Sequence, residues 1–286
     1  MTTLSHRTAA TVDASHKGTA LITGASSGIG AVYADRLAQA GYDLILVARS
    51  ADKLHSLAKR LTTRSGRSIE TIAADLTNAR DLARVESVLR TDASITMLVN
   101  NAGVGATAPL LHSDIDSMEQ MIALNVSVLT RLAYAAAPAF VARGTGTIVN
   151  IASIVAVAPE LLNGVYGGSK AYVLAFSQSL HHELADKGVH VQAVLPGATA
   201  TDFWNIAGRP IEHLPQSIVM SAEDMVDAAL AGLRQGELVT IPSLPDQADW
   251  DAFERARKAL GPGLSRTTPA ERYGVVRAVA DEASNS

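Results

Sequence analysis

The feature that most constrains this chain is a rhythm. Short apolar runs rich in β-branched residues alternate with stretches of helical length. The runs are TALIT (19–23), DLILVA (43–48), IETIAA (69–74), ITMLVN (95–100), GTIVNIA (146–152), VHVQAVL (189–195) and ELVTI (237–241). They are continuously hydrophobic, without in/out alternation, which marks strands buried on both faces. Between them stand helix-like segments such as AVYADRLAQAGY, ADKLHSLAKRL and NARDLARVESVLR. Such alternation predicts an α/β fold, a doubly wound seven-stranded parallel sheet with right-handed crossovers and helices on both sides. No Pro/Gly linker and no internal repeat divides it, so the expectation is one domain over residues 18–260.

Its edges read differently. The polar leader, residues 1–17, cannot build a core and is expected to be a flexible arm. Residues 261–286 form a C-terminal tail, after a short helix over about ADWDAFERARKAL. Residues 198–220 break the rhythm with Pro210, Pro215 and Trp204, and are expected to loop over the face that carries the site. Pro138 should kink its helix or mark the last turns. The start has no signal-like apolar run, and no span long enough to cross a bilayer is recognised. A cytoplasmic location and no membrane partner are therefore the default. The net charge of −4 gives no reason to expect nucleic acid, and zero cysteines exclude disulfides and thiolate chemistry.

The first strand runs straight into TGASSGIG, Thr23 to Gly30, and then into a helix. Gly24, Gly28 and Gly30 suit a junction where the chain turns sharply and a pyrophosphate approaches the backbone at a helix N-terminus. A plain tight turn is the alternative. The second strand ends in Ala48, Arg49 and Ser50, with no acidic residue until Asp52. An acidic side chain here would hold a ribose 2′-hydroxyl, whereas an Arg accommodates a 2′-phosphate. Arg49 thus argues for NADP(H) over NAD(H).

Several pieces then coincide in order: TGASSGIG, ADL (74–76), NNAG (100–103), Asn125, Ser153, YGGSK (166–170) and PG (196–197). Together they resemble the short-chain dehydrogenase/reductase family, in its shorter single-domain branch, over about residues 17–242. The resemblance implies a Rossmann-type three-layer αβα sandwich with strand order 3-2-1-4-5-6-7, and a homodimer or homotetramer. It implies that Thr23, Gly24, Ser26, Ser27, Gly28, Ile29 and Gly30 cradle the dinucleotide. Asp75 beside Leu76 would bond the adenine amino group, and Asn101, Ala102 and Gly103 would shape the adenine-ribose wall. Pro196 and Gly197 would pass the nicotinamide, with Thr201 near its carboxamide or pyrophosphate. Thr199 stands where the family pattern usually has a hydrophobic residue.

Tyr166 and Lys170 lie one helical turn apart and share a helix face. A phenol with an ordinary pKa near ~10 exchanges protons poorly at neutral pH. A fixed ammonium close by, or a bound cationic nicotinamide ring, favours the phenolate and is expected to lower that value. Gly167, Gly168 and Ser169 carry little bulk, consistent with a cofactor lying close against the helix. A surface Tyr/Lys pair is the bland alternative, and Ser153 at the end of the fifth strand speaks against it. Ligands of open α/β sheets sit outside the strands' carboxyl ends, so both residues reach one crevice. A hydroxyl there can stabilise a developing alkoxide. By the resemblance, Ser153, Tyr166, Lys170 and Asn125 form a catalytic tetrad, with Asn125 holding a water that relays protons to Lys170.

The expectation is an NADP(H)-dependent oxidoreductase, a carbonyl reductase or secondary alcohol dehydrogenase acting on a small carbonyl or alcohol substrate. A non-catalytic NADP(H) redox sensor on the same fold is the alternative class. Phe203, Trp204, Ile206 and Leu214 form a candidate substrate lid, which suggests an apolar substrate, although they could equally pack an interface. His181 and His182 are adjacent and have no i,i+4 His partner, so no metal site is expected. His112 reads as a loop residue within reach of the pocket.

Overall fold

The computed structural model describes residues 17–275. The expected flexible arm, residues 1–17, lies outside the described residues save Lys17, as does the end of the tail, 276–286. The described residues fall into two compact units that meet between Ser243 and Leu244, ahead of the limit at 260 expected from patterning. Once the last strand closes the sheet at Thr240, nothing beyond it among the described residues pairs with a strand.

In the first unit the strands are β1 (Thr19–Thr23), β2 (Asp43–Ala48), β3 (Ile69–Ala73), β4 (Ile95–Asn100), β5 (Gly146–Ile151), β6 (Val189–Val194) and β7 (Val239–Thr240). All pair in parallel, in the order β3-β2-β1-β4-β5-β6-β7. This is the Rossmann-type αβα architecture, with its order reversing between β1 and β4. β7 is shorter than the run ELVTI, because only Val239 and Thr240 find partners on β6. The helices are α1 (Gly28–Gln39), α2 (Ala51–Ser65), α3 (Ala79–Thr91), α4 (Ile115–Ile122), α5 (Leu129–Arg143), α6 (Gly164–Leu184), α7 (Phe203–Ile206) and α8 (Ala222–Arg234).

Strand alternation splits the core into two layers. Ala20, Ile22, Leu44 and Leu46 face one layer with Tyr33, Leu37, Leu54 and Val226 of α1, α2 and α8. Leu21, Ile45 and Val47 face the other with Val85, Leu89, Leu132 and Phe140 of α3 and α5. Both faces of each central strand are thus covered, which is why its sequence shows no polar alternation.

A π-helical turn, Ala123–Val128, joins α4 to α5. The result is one 29-residue helix, Ile115–Arg143, long and apolar enough by length and composition to cross a membrane. That corrects the expectation that no such span exists: polar residues and Pro138 break up the apolar pattern, and the π turn rejoins it. Its buried residues Leu132, Ala135, Ala136 and Phe140 pack in the core layer just described, as in the central helix of a globular domain. Pro138 does not end the helix, which runs on to Arg143.

The second unit holds α9 (Gln247–Ala259), capped by Asp246, whose side chain accepts from the Ala248 N–H at 2.8 Å. Trp250 and Phe253 pack ring to ring at 5.2 Å on it, and short 3-10 turns follow at Gly261–Gly263 and Glu271–Tyr273.

Candidate active site

The glycine turn leaves β1 at Thr23, whose hydroxyl is fully used. It accepts the Asn101 and Ala102 N–H groups, both at 3.0 Å, and donates to the Val99 carbonyl at 3.4 Å. Thr23 therefore ties the turn to the loop after β4. Gly24 and Gly28 take left-handed φ of +65° and +52°, a conformation that costs other residues about 1–2 kcal/mol. Gly30 is needed for a different reason. A Cβ there would overlap the Gly24 carbonyl oxygen and come within 2.6 Å of Asn101 Nδ2. Ser27 precedes α1 without capping it through its side chain, so the first N–H groups of that helix remain open to an anion.

One cavity of about 410 Å3 runs from this turn across the strand ends. Gly24, Ser27, Gly28, Ile29, Asn101, Ala102 and Gly103 line one end. Ser153, Tyr166, Lys170, Pro196, Gly197, Thr199 and Thr201 line the middle. Ser26 faces a separate hollow with Lys53 and Arg60 of α2. Arg49 is exposed, Leu76 is buried in the core, and Asp75 accepts from the Thr77 N–H and hydroxyl at 3.0 and 2.7 Å. Those bonds hold the Asp75 carboxyl below its usual range, and the charge of Arg49 adds to the effect.

Local capping sets the helix that carries Tyr166 and Lys170. Asn163 accepts the N–H of Val165 and Tyr166 at 2.9 and 3.2 Å, and its own amide donates to the Ala108 carbonyl and the Ser113 hydroxyl. Tyr166 thus begins α6 in a position tied to the loop after β4. Lys170 lies on the same face, its Nζ 5.9 Å from the Tyr166 ring centre and donating to the Ile151 carbonyl at 2.8 Å. Ser153 follows β5 and opens a 3-10 turn, Ile154–Ala156, rather than continuing as a strand.

Electrostatics here differ from the expectation. Burial pushes the Tyr166 phenol up to about 12, with a hydrogen bond from Ser153 pulling the other way. Burial pushes Lys170 down to about 8. The neighbouring ammonium therefore does not by itself make the phenol acidic, because burial is the largest influence on each of the two groups. The small spacer residues also have another purpose. Gly167 leaves room for Pro159, which a Cβ would approach to 2.9 Å; Gly168 faces open space; Ser169 bonds Asn125 at 3.2 Å.

Asn125 sits in the π turn, fully buried. Its amide holds Val104 from both sides, accepting that residue's N–H at 3.0 Å and donating to its carbonyl at 2.8 Å. Its side chain thus shapes the loop after β4. Thr199 donates to the Gly197 carbonyl at 3.2 Å, and its own carbonyl accepts the Trp204 indole N–H at 3.0 Å. Here a hydroxyl stabilises a tight turn.

The far end of the cavity is apolar: Val104, Val155, Leu161, Leu162, Phe203, Ile206, Leu214 and Ile218, with Arg209 among them. Patterning missed Val104, Leu161, Leu162 and Ile218, because lining residues of irregular loops carry no period. Asn163 could have been found as a helix N-cap ahead of the apolar run. His112 does not line the cavity. No group of three or more His, Cys, Asp or Glu that could hold a metal occurs among the described residues.

A family model described as short chain dehydrogenase matches residues 18–209. A short-chain dehydrogenase from Sphingobium yanoikuyae, solved in complex with NADPH, is 50% identical; the match covers 90% of this chain and 99% of that one at a TM-score of 0.87. A bulky-bulky ketone specific alcohol dehydrogenase from Comamonas testosteroni is 45% identical, with 91% and 99% covered and a TM-score of 0.83. The very-long-chain 3-oxoacyl-CoA reductase of Bos taurus is 35% identical over 212 residues, 71% of this chain and 66% of that protein, so the chain spans just under two thirds of this curated relative. The chain belongs to the short-chain dehydrogenase/reductase family and is an oxidoreductase of that family.

A nicotinamide dinucleotide fits the residues present. Gly30 meets the turn so closely that a Cβ would fill the cradle, the α1 N-terminus offers uncapped N–H groups, and the cavity continues from there to Ser153, Tyr166 and Lys170.

Proposed function

We propose that this protein is an NADP(H)-dependent carbonyl reductase, acting reversibly on apolar, bulky ketones and the matching secondary alcohols. One observation carries the reading: a single cavity joins the glycine turn to Ser153, Tyr166 and Lys170 and then opens between apolar walls. The NADPH complex of one relative and the bulky ketone specificity of another support the two halves of that statement.

When bound, the dinucleotide supplies or takes up the hydride. The Ser153 hydroxyl holds the carbonyl oxygen and stabilises the charge that develops on it. Tyr166, which the Ser153 hydrogen bond draws back toward its ordinary range against burial, donates its phenolic proton to that oxygen. Lys170, fixed by the Ile151 carbonyl, resupplies the proton and holds the helix face in place. The walls from Val155 to Ile218 exclude water and orient the substituents.

Arg49, exposed at the end of β2 and electrostatically coupled to Asp75, supports phosphate selectivity. A second copy of the chain fits the stacked rings of Tyr134, Phe176 and Tyr172 on α5 and α6, since Tyr134 is 68% exposed. The reading includes a cytoplasmic location.

The test is steady-state oxidation of NADPH against a panel of aryl alkyl and diaryl ketones. Turnover that depends on the ketone is expected; binding without oxidation across the panel would favour the redox sensor. Arg49→Ala should weaken NADPH about tenfold or more, as loss of a charge-assisted bond does. NADH binding should hardly change, and equal loss for both dinucleotides would remove the case for NADP(H).

A further inference from the structure

Gly105, in the loop after β4, has an unusual neighbour. A Cβ built on it would collide with the tip of the Phe203 ring, overlapping Cζ and lying 2.7 Å from Cε2 and 3.1 Å from Cε1. Phe203 lines the cavity but Gly105 does not, because the ring covers it. The same ring lies 5.8 Å from the Tyr166 ring, tilted by 44°, and meets the Trp204 ring edge-on at 5.6 Å. Trp204 is itself anchored through the Thr199 carbonyl. The Ala207 carbonyl accepts both the N–H and the hydroxyl of Thr107, at 3.2 and 2.9 Å, so the loop carrying Gly105 is strapped to the end of α7. Phe203 therefore abuts Gly105 at its ring tip and packs against the rings of Tyr166 and Trp204.

We propose that the Phe203 ring, seated on Gly105, limits the size of one of the two substituents that flank the substrate carbonyl. The inference rests on the carbonyl-reductase reading of the same site. A carbonyl oxygen within reach of the Tyr166 phenol brings one substituent against the ring that packs on Tyr166. With the ring in place there is less room for that substituent. Without it, the space down to the bare Gly105 backbone becomes part of the cavity.

The experiment measures kcat/KM with NADPH for acetophenone, an aryl methyl ketone, and benzophenone, a diaryl ketone. Phe203→Ala should raise the benzophenone-to-acetophenone ratio about tenfold or more, the scale on which an apolar pocket discriminates size. Gly105→Ala should lower the ratio by a similar factor, because its methyl displaces the ring into the cavity. In the double variant the methyl meets no ring, so the ratio should return to within about threefold of Phe203→Ala alone, a non-additivity expected of residues in contact. NADPH titration by fluorescence checks that each variant folds and binds. The proposal is overturned if Phe203→Ala lowers both rates together and leaves the ratio unchanged. It is overturned equally if Gly105→Ala is as damaging with Phe203 absent as with it present. A wild-type chain that oxidises NADPH with no ketone defeats the underlying reading instead, and this proposal with it.

Discussion

The cavity has a floor and a roof, and they are built in different ways. The floor, at the strand ends, is held by buried polar bonds to backbone: Thr23 to the loop at Asn101, Asn125 to Val104, Lys170 to Ile151. The roof, residues 198–220, is a four-residue helix and short 3-10 turns, tied by a few hydrogen bonds at Thr107–Ala207, Thr199–Trp204 and Ala200–Met220 and otherwise packed through side chains, with Ile206 70% and Ile218 58% exposed. Hydrogen bonds to a rigid sheet fix atoms in the places that proton chemistry needs. Apolar packing on irregular backbone fixes a shape, which can vary without disturbing that chemistry. Floor substitutions should therefore change cofactor affinity, protonation or turnover, whereas roof substitutions should change which ketone is accepted.

Gly30→Ala should break the floor most severely. Its methyl has no room beside the Gly24 carbonyl and Asn101. Overpacking of about 1–3 kcal/mol predicts NADPH binding weaker by about tenfold to a hundredfold, read by fluorescence titration. Unchanged affinity would mean that the turn yields freely and that the comparison is false.

Lys170→Met sharpens the electrostatic side. In the folded chain burial lowers Lys170 from 10.5 to about 8. Between those values the unfolded chain binds more protons than the folded one, so this residue makes stability rise with pH. The raised phenol of Tyr166 acts oppositely, removing stability as pH climbs from 10 towards about 12. The clean window is therefore pH 8 to 10. Across it, the Tm of the wild type should gain on that of the Met variant, and parallel curves would contradict the burial of a strained ammonium.

Ile218→Ser, in the roof, should have the smallest effect. It should raise KM for an apolar ketone by about three- to tenfold, on a loss of about 1 kcal/mol of apolar contact. The NADPH affinity and the Tm should stay near those of the wild type. A fall in kcat as large as the rise in KM would show that roof and floor are not separable.

The same contrast explains what could be read from the sequence. Strands buried on both faces leave continuous apolar runs, so β1, β2 and β4 are found to the residue. Glycines at Gly24, Gly28 and Gly30 and the helical spacing of Tyr166 and Lys170 are local signals, legible without contacts. The opposite pKa shifts of Tyr166 and Lys170 were not, because burial comes from loops that close over the site from distant parts of the chain. Nor was the reason for Gly105 or Gly167, which answer to partners outside their own turn, Phe203 far along the chain in one case and Pro159 in the preceding loop in the other. The roof as a whole shows only that it is irregular.

The most direct measurement is kcat and NADPH affinity in Tyr166→Phe, which removes one buried oxygen and leaves the ring packed on Phe203. If Tyr166 is the proton donor at the junction of floor and roof, kcat falls by about 10²–10⁴-fold while NADPH affinity stays within about twofold of wild type. A variant that keeps most of its turnover, or that loses NADPH binding in step with it, would contradict the account.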